Sequence, residues 1–209
     1  MSKKFDDWIP TRSSLLSRLK HWSDDKSWEE FFHTYAKLIY NFAVKLGLND
    51  ADAQDVVQET VLKVAKKIPD FKYDRAIGSF KGWLLKIARR KVIDQFRKRK
   101  LGQVHGAHKP DETARTSTIH KIPDPAPSRL EVIWEEEWKV RIVEIATERV
   151  KRRVTPMHYQ IFDMYAVRNW PVEKVTRALG VSVDQVYQAK RRISVLLKKE
   201  IAVLENHML

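Results

Sequence analysis

The sequence predicts an all-α protein of two small helical domains joined by a flexible linker, the second domain being a helix-turn-helix without a wing. Apolar residues recur every three or four positions through most of the chain, which is typical of amphipathic helices. Several of these segments begin at residues that commonly cap helices. We therefore place the domains at residues 1–100 and 129–209. The linker, 101–128, is polar, lacks this period and is interrupted by Gly102, Gly106, Pro110, Pro123, Pro125 and Pro127.

Composition narrows the classes of function. The 209 residues include 40 Lys and Arg against 27 Asp and Glu, a net charge of +13 that favours nucleic acid or another acidic partner. The sequence contains no Cys, which excludes disulfides, thiolate metal sites and a cysteine nucleophile. Two histidines in the linker, His105 and His108, lack further ligands, so we expect neither metal nor cofactor. Without a signal-like or membrane-spanning stretch, we expect a soluble, cytoplasmic protein.

The first domain is predicted to contain four helices. A short helix lies between Thr11 and Trp22, and the second opens at the capping box of Ser27 and Glu30. The inner face of the second helix is assigned to Trp28, Phe31, Phe32, Tyr35, Leu38, Ile39, Phe42 and Leu46, with Gly47 ending it. The third helix is capped by Asn49 and ends at Pro69. Its core positions are Ala53, Val56, Val57, Thr60, Val61, Val64 and Ile68.

The fourth helix, Ser79 to Lys100, carries the strongest functional signal. Ser79 stands at the N-cap, and the apolar stripe, which passes close to Lys91, comprises Phe80, Trp83, Leu84, Ile87, Ala88, Ile93 and Phe96. Between these positions lie Lys81, Lys86, Arg89, Arg90, Lys91, Arg97, Lys98, Arg99 and Lys100, against the single acid Asp94. A merely solvated basic face usually carries Glu one turn away, and here almost none appears. The pattern favours a helix that binds a polyanion.

The second domain is predicted to begin with a long helix from about Arg129 to Arg153, followed by a helix capped at Thr155-Pro156. Residues 171–197 then form a helix-turn-helix, with Gly180 at the turn and a capping box at Ser182 and Gln185. Its second helix is expected to bury Val183, Val186, Ile193 and Leu197. Residues that suit base edges or phosphates lie on the outer side and flank: Asp184, Gln185, Tyr187, Gln188, Arg191 and Arg192. A helical hairpin with a solvated polar face is the alternative.

Taken together, three ordered segments resemble the bacterial sigma-70 family of RNA polymerase sigma factors, in its extracytoplasmic-function (ECF) subfamily. They are DAQDVVQETVLKV (52–64), SFKGWLLKIARRKVIDQFRKRK (79–100) and WPVEKVTRALGVSVDQVYQAKRRI (170–193). They are similar to the family's polymerase-binding helix, promoter-melting helix and C-terminal helix-turn-helix respectively. The resemblance implies a protein that directs core RNA polymerase to promoters and helps open the DNA, with no catalysis of its own.

The resemblance also implies residue roles. Core polymerase would be bound by Asp52, Asp55, Gln58 and Glu59. The −10 element and its melted non-template strand would be held by Phe71, Lys72, Tyr73, Ser79, Phe80, Lys86, Arg89, Arg90, Asp94, Arg97 and Lys98. Asp94 either accepts a hydrogen bond from a base amine or pairs with a neighbouring cation. For Trp83, a place in the core is favoured over a role as a surface on which a base stacks. The −35 duplex would be read by Ser182, Asp184, Gln185, Tyr187, Gln188, Arg191 and Arg192.

One alternative function is a stand-alone helix-turn-helix regulator whose N-terminal domain dimerises or senses a signal. The density of cations in the fourth helix speaks against it, since a dimerisation domain rarely needs them. An enzyme is not favoured, because the sequence holds no P-loop and no recognisable nucleophile and base arrangement. We expect a chain that is monomeric when free and makes no membrane contact, and a flexible linker would permit sequestration by an anti-sigma protein.

Overall fold

A computed structural model describes residues 12–71, 79–105 and 127–208, and within these ranges the protein is helical, without a β-strand. The all-α prediction is confirmed. The first four helices are α1 (Arg12–Arg18), α2 (Asp25–Lys45), α3 (Asp50–Lys67) and α4 (Phe80–His105). They are followed by α5 (Pro127–Arg153), α6 (Pro156–Phe162), a π-helical turn (Asp163–Val167), α7 (Val172–Leu179) and α8 (Val183–Met208).

The chain forms two compact units. Unit 1 comprises Met1–Lys139 with Met208–Leu209, and unit 2 comprises Val140–His207. The boundary lies inside α5, whereas the sequence predicts a second domain that begins at residue 129. Residues 101–105 prolong α4 beyond its predicted end, and most of the predicted linker, 106–126, lies outside the described residues.

Unit 1 is organised around α2, α3 and α4, whose apolar faces meet in one core. The N-cap of α2 is Asp24, not Ser27, because the Asp24 carboxylate accepts from both the backbone nitrogen and the hydroxyl of Ser27 at 3.1 and 2.6 Å. The Asn49 cap of α3 is confirmed, with its side chain accepting from the Asp52 nitrogen at 2.9 Å. Gly47 adopts a φ of 98°, which favours glycine after a helix end. Phe32, expected inside, is exposed, and Trp28, Leu46 and Val61 are only half-buried.

The first half of α5 belongs to unit 1. Trp134 packs edge-on against Phe42 at 5.1 Å between ring centroids, and Trp138 lies 5.8 Å from Tyr35. Both tryptophans are almost completely buried. Trp138 lies in the run Glu135-Glu-Glu-Trp-Lys139, in which every other residue is charged. The carboxylates beside them are matched by cations of α2 and α4: Lys45 pairs with Glu137 at 2.7 Å, and Lys81 pairs with Glu135. Pairing across helices leaves no local sequence signal, so sequence reasoning missed Trp138.

Unit 2 contains the helix-turn-helix that the sequence predicted. Gly180, at φ 66°, makes the turn between α7 and α8, and Thr155 caps α6 with Pro156 at its first position. One apolar cluster joins the two helices of the motif to α6 through Ile161, Val175, Val186 and Ala189. A second cluster joins Val150, Phe162 and Ile193. Arg149 and Arg153 both pair at 2.8 Å with the buried carboxylate of Glu200, which fastens the end of α5 to α8.

Candidate nucleic-acid interface

The orientation of α4 decides which of its side chains face outward. Ser79 caps the helix, with its hydroxyl oxygen accepting from the Gly82 nitrogen at 3.2 Å. The buried face consists of Phe80, Lys81, Leu84, Ile87, Ala88, Val92 and Gln95. The expected stripe is therefore correct over the first two turns except for Trp83, and it is wrong beyond them, since Trp83, Ile93 and Phe96 are only half-buried. Val92 and Gln95 take their place against the core.

Part of the positive charge of α4 is directed at α3 and not at solvent. Lys91 donates to Glu59 at 2.8 Å, and Lys98 donates to the other oxygen of the same carboxylate at 2.6 Å. Arg99 lies 3.4 Å from Asp52. The two lysine hydrogen bonds lower the pKa of Glu59, and the hydrogen bond that Lys98 donates to Glu59 raises the pKa of Lys98. These cations help to hold α3 against α4.

The acidic face predicted to bind polymerase is divided by the same contacts. Asp52 and Glu59 face α4, and Asp55 accepts from the Gln95 amide at 3.2 Å. Asp55 and Gln58 nevertheless remain exposed. Leu62, one turn beyond Gln58, is 56% exposed, an apolar residue that sequence reasoning did not select. Of the predicted docking residues, an acid and an amide thus remain open to solvent, and an exposed leucine lies one turn beyond them.

The remaining cations of α4 form an outward row. Lys86, Arg90 and Arg97 are exposed, at intervals that keep them on one side of the helix. Neither Lys86 nor Arg90 makes an ion pair with another described residue. Asp94 lies 4.0 Å from Arg97, which supports its role as the partner of a neighbouring cation. Arg89 is half-buried at the edge of the row.

An aromatic cluster lies at the N-terminal end of α4. Phe71 packs on Trp83 with 4.6 Å between ring centroids, and Trp83 lies 5.4 Å from Phe80. Phe80 is only 1% exposed, so its ring has no face left for a nucleotide base and we remove it from the predicted DNA contacts. Phe71 and Trp83 are half-buried and keep part of their surface open. Lys72 and Tyr73 lie outside the described residues.

Helix α8 begins with the predicted capping box. The backbone nitrogen of Ser182 donates to the Gln185 side-chain oxygen at 2.8 Å, and the Gln185 nitrogen donates to the Ser182 hydroxyl at 3.2 Å. Both side chains therefore form hydrogen bonds that cap the start of α8. We assign Ser182 and Gln185 to helix capping and not to base reading, because a base edge would have to compete for the same atoms.

The outward face of α8 carries Asp184, Gln188 and Arg191, with Arg192 exposed beside them. Tyr187 is held edge-on against Tyr165 of the π-helical turn, 5.8 Å between centroids, and the ammonium of Lys190 lies 5.2 Å above the same Tyr165 ring. Val183, expected in the core, is 44% exposed, whereas Ala189, which was not predicted there, is buried. Leu197 is half-buried as part of the second apolar cluster.

The described ranges hold no group of three or more His, Asp or Glu side chains arranged for a metal ion. None of the helices in those ranges is both long and apolar enough to cross a lipid bilayer.

Comparison with known proteins places the basic helix inside a recognised domain. Residues 31–101 match the family model Sigma-70 region 2. Over 98 residues the chain is 29% identical to the ECF RNA polymerase sigma factor SigE of Mycolicibacterium smegmatis, an alignment that covers 44% of this chain. The aligned part spans 37% of the length of that relative.

Proposed function

The chain belongs to the ECF subfamily of the sigma-70 family, and on that premise we propose that it binds core RNA polymerase, directs it to specific promoters and helps to open the DNA. Unit 1 would bind polymerase and the −10 element, and unit 2 would read the −35 element as duplex. We place this activity in the cytoplasm and assign the chain no catalysis of its own. A monomeric free state and sequestration by an anti-sigma protein stay predictions.

The observation that carries the proposal is the outward row of Lys86, Arg90 and Arg97 on α4, inside the matched region 31–101. A row of cations attracts the phosphates of either duplex or single strand. The half-open rings of Phe71 and Trp83, near the start of the same helix, can stack only on bases that have left the duplex. A surface that combines the two binds the separated strand more tightly.

Preferential binding is sufficient to drive melting, because a ligand that favours one state shifts the population toward it. Unstacking a base costs a few kcal/mol. Stacking on an aromatic side chain returns about 1–3 kcal/mol per base. The outward cations attract the phosphates of both forms, so the preference for the opened form comes from stacking on the two rings, and it favours opening where the duplex is weakest, as in a short A·T-rich segment. Lys91, Lys98 and Arg99, which pair with α3, are left out of this surface.

Polymerase would be bound by the exposed side of α3. Asp55 and Gln58 supply polar contacts, and the exposed Leu62 supplies an apolar anchor of the kind that interfaces bury. Asp52 and Glu59 support this side indirectly, since their carboxylates hold α3 on α4.

The −35 element would be read by the outward face of α8. Gln188 suits adenine, Arg191 suits guanine or a phosphate, and Asp184 suits the cytosine amine. The capping box orients the start of this helix, where recognition helices contact base edges.

Transcription in vitro tests the proposal. The full chain is added to core RNA polymerase with genomic DNA fragments, start sites are mapped, and unpaired thymines are detected by permanganate. We expect defined start sites, each with an open bubble, only when both proteins are present. Tight, specific duplex binding by the chain alone, with no start site on addition of polymerase, would favour the stand-alone regulator.

The docking surface has its own test. Leu62→Asp should abolish co-purification with core polymerase while the protein stays folded, because Leu62 is exposed. Val44→Asp is the matched control, an exposed apolar residue of the same unit on α2. Retained polymerase binding by the Leu62 variant would move the docking surface away from this side of α3.

A further inference from the structure

The first residue of α8, Val183, has an apolar side chain that does not contribute to the buried face of the helix. It is 44% exposed, while Val186, Ala189 and Ile193 are each at most 2% exposed and complete the buried face without it. Valine is also only a moderate helix former, so local helix stability does not account for it. The surroundings of the side chain indicate what it can contact.

Val183 lies at the reading end of the recognition helix, between groups whose roles are already assigned. Ser182 and Gln185 on either side are occupied by the capping box. Asp184 is the polar residue of this turn that faces outward. The exposed surface of the first turn is therefore a carboxylate beside an isopropyl group.

One turn further on, Tyr187 continues the apolar surface. Residues four apart share one face of a helix, which places Tyr187 next to Val183. Tyr187 is 48% exposed, and its edge-on contact with Tyr165 limits the positions of its ring. An apolar strip of Val183 and Tyr187 thus runs beside the polar strip of Asp184, Gln188 and Arg191.

An apolar strip that faces the major groove can contact one apolar group on the edges of the bases. Each base pair presents donors and acceptors there, and thymine alone adds a methyl group at C5. We propose that Val183, supported by Tyr187, contacts a thymine methyl in the −35 duplex and makes that thymine a specificity determinant. This inference rests on the proposed function, in which α8 reads the duplex.

The expected effect follows from burying one methyl group. Such burial is worth about a fourfold change in affinity. Replacing the thymine by deoxyuridine removes the methyl and keeps the base pair, so the change can be made on the DNA without altering any hydrogen bond. Replacing Val183 by Ala removes the other side of the same contact.

The experiment combines the two changes. Holoenzyme formed from the full chain and core polymerase selects promoters from a library randomised across the −35 element. Each thymine of the selected element is then replaced singly by deoxyuridine, and promoter affinity is measured by competition for wild type and V183A. For wild type we expect about a fourfold loss at one thymine, and for V183A equal affinity for thymine and deoxyuridine at that position.

Val195→Ala is the matched control, since Val195 is 45% exposed on the same helix and lies twelve residues, about 18 Å, beyond Val183. It should keep the wild-type preference for thymine. A thymine preference that is the same in V183A and wild type, or missing from both, would overturn this inference and leave the proposed function standing. Failure of the holoenzyme to select any promoter would overturn both.

Discussion

The helices α4 and α8 both carry the cations that suggest nucleic-acid binding, but they use them differently. In α4, Lys91, Lys98 and Arg99 pair with carboxylates of α3, whereas the exposed row of Lys86, Arg90 and Arg97 makes no ion pair with the described residues of α3. In α8, the cap and the apolar face hold the helix in place. Among the described residues, its outward Asp184, Gln188 and Arg191 make no ion pair or side-chain hydrogen bond with one another or with other groups. Part of the charge of α4 therefore stabilises its packing on α3, whereas the polar groups on the outward face of α8 are left available.

The most severe test of this contrast is Glu59→Lys, which puts a third ammonium beside Lys91 and Lys98. We expect unit 1 to lose about 2–3 kcal/mol of unfolding free energy, somewhat less than the loss from a fully buried pair because Glu59 keeps partial exposure. Urea unfolding followed by circular dichroism measures it. Gln58→Lys, the same change on the adjacent exposed residue, should alter stability by less than about 0.5 kcal/mol. Equal stabilities would mean that the Glu59 contacts contribute nothing.

The opposite behaviour is expected for Gln188→Ala on α8. Stability should be unchanged, because the described structure gives this side chain no partner to lose. Promoter discrimination at one −35 base pair should fall by about 1–3 kcal/mol. Competition between promoter variants for holoenzyme measures the effect. Gln160→Ala, an exposed glutamine on α6 of the same unit, serves as the control and should leave discrimination intact. An unaltered preference in Gln188→Ala would place the base contacts elsewhere on the helix.

Within α4, Arg90→Ala and Lys91→Ala should separate the two uses of charge. Arg90→Ala should leave stability unchanged and weaken open-complex formation by about 1 kcal/mol at 0.1 M salt, lowering the salt slope by about 0.7 as one strand contact is lost. Lys91→Ala should reduce stability and leave the salt slope unchanged. Titration of open complexes against salt, together with urea unfolding, distinguishes them. If both variants change the slope equally, the division of α4 is wrong.

The smallest expected effect is a change in the stability of unit 1 as the pH is lowered. The folded-state pKa of Glu59 lies below its ordinary value of 4.5 because Lys91 and Lys98 donate to its ionised form. Its stabilising contribution is thus fully present above pH 4.5 and declines as the pH falls through the lowered folded-state pKa. Glu59→Gln cannot ionise, so the stability difference between wild type and this variant should narrow as the pH is lowered from 7 toward 3. A constant difference would contradict the assignment.

Most of the helices could be predicted because their signals are local. Asn49, Ser79, Thr155 and the Ser182–Gln185 box each cap a helix through atoms within three residues. Apolar spacing likewise identified the core of α3. The errors concern faces whose environment is made by distant residues. Trp138 is buried because Tyr35, in α2, packs beside it, and Val183 is exposed because three other residues fill the core of the motif.

The sequence by itself determined the all-α class, the order of the helices, most of the caps and the excess of positive charge, since each depends on residue type and short-range spacing. Only the tertiary structure decided which charges remain available. An ion pair such as Glu59 with Lys91 joins residues 32 positions apart, and its formation depends on how α3 packs against α4. Counting cations along one helix predicts attraction to a polyanion, but the packing of the neighbouring helix selects the residues that can exert it.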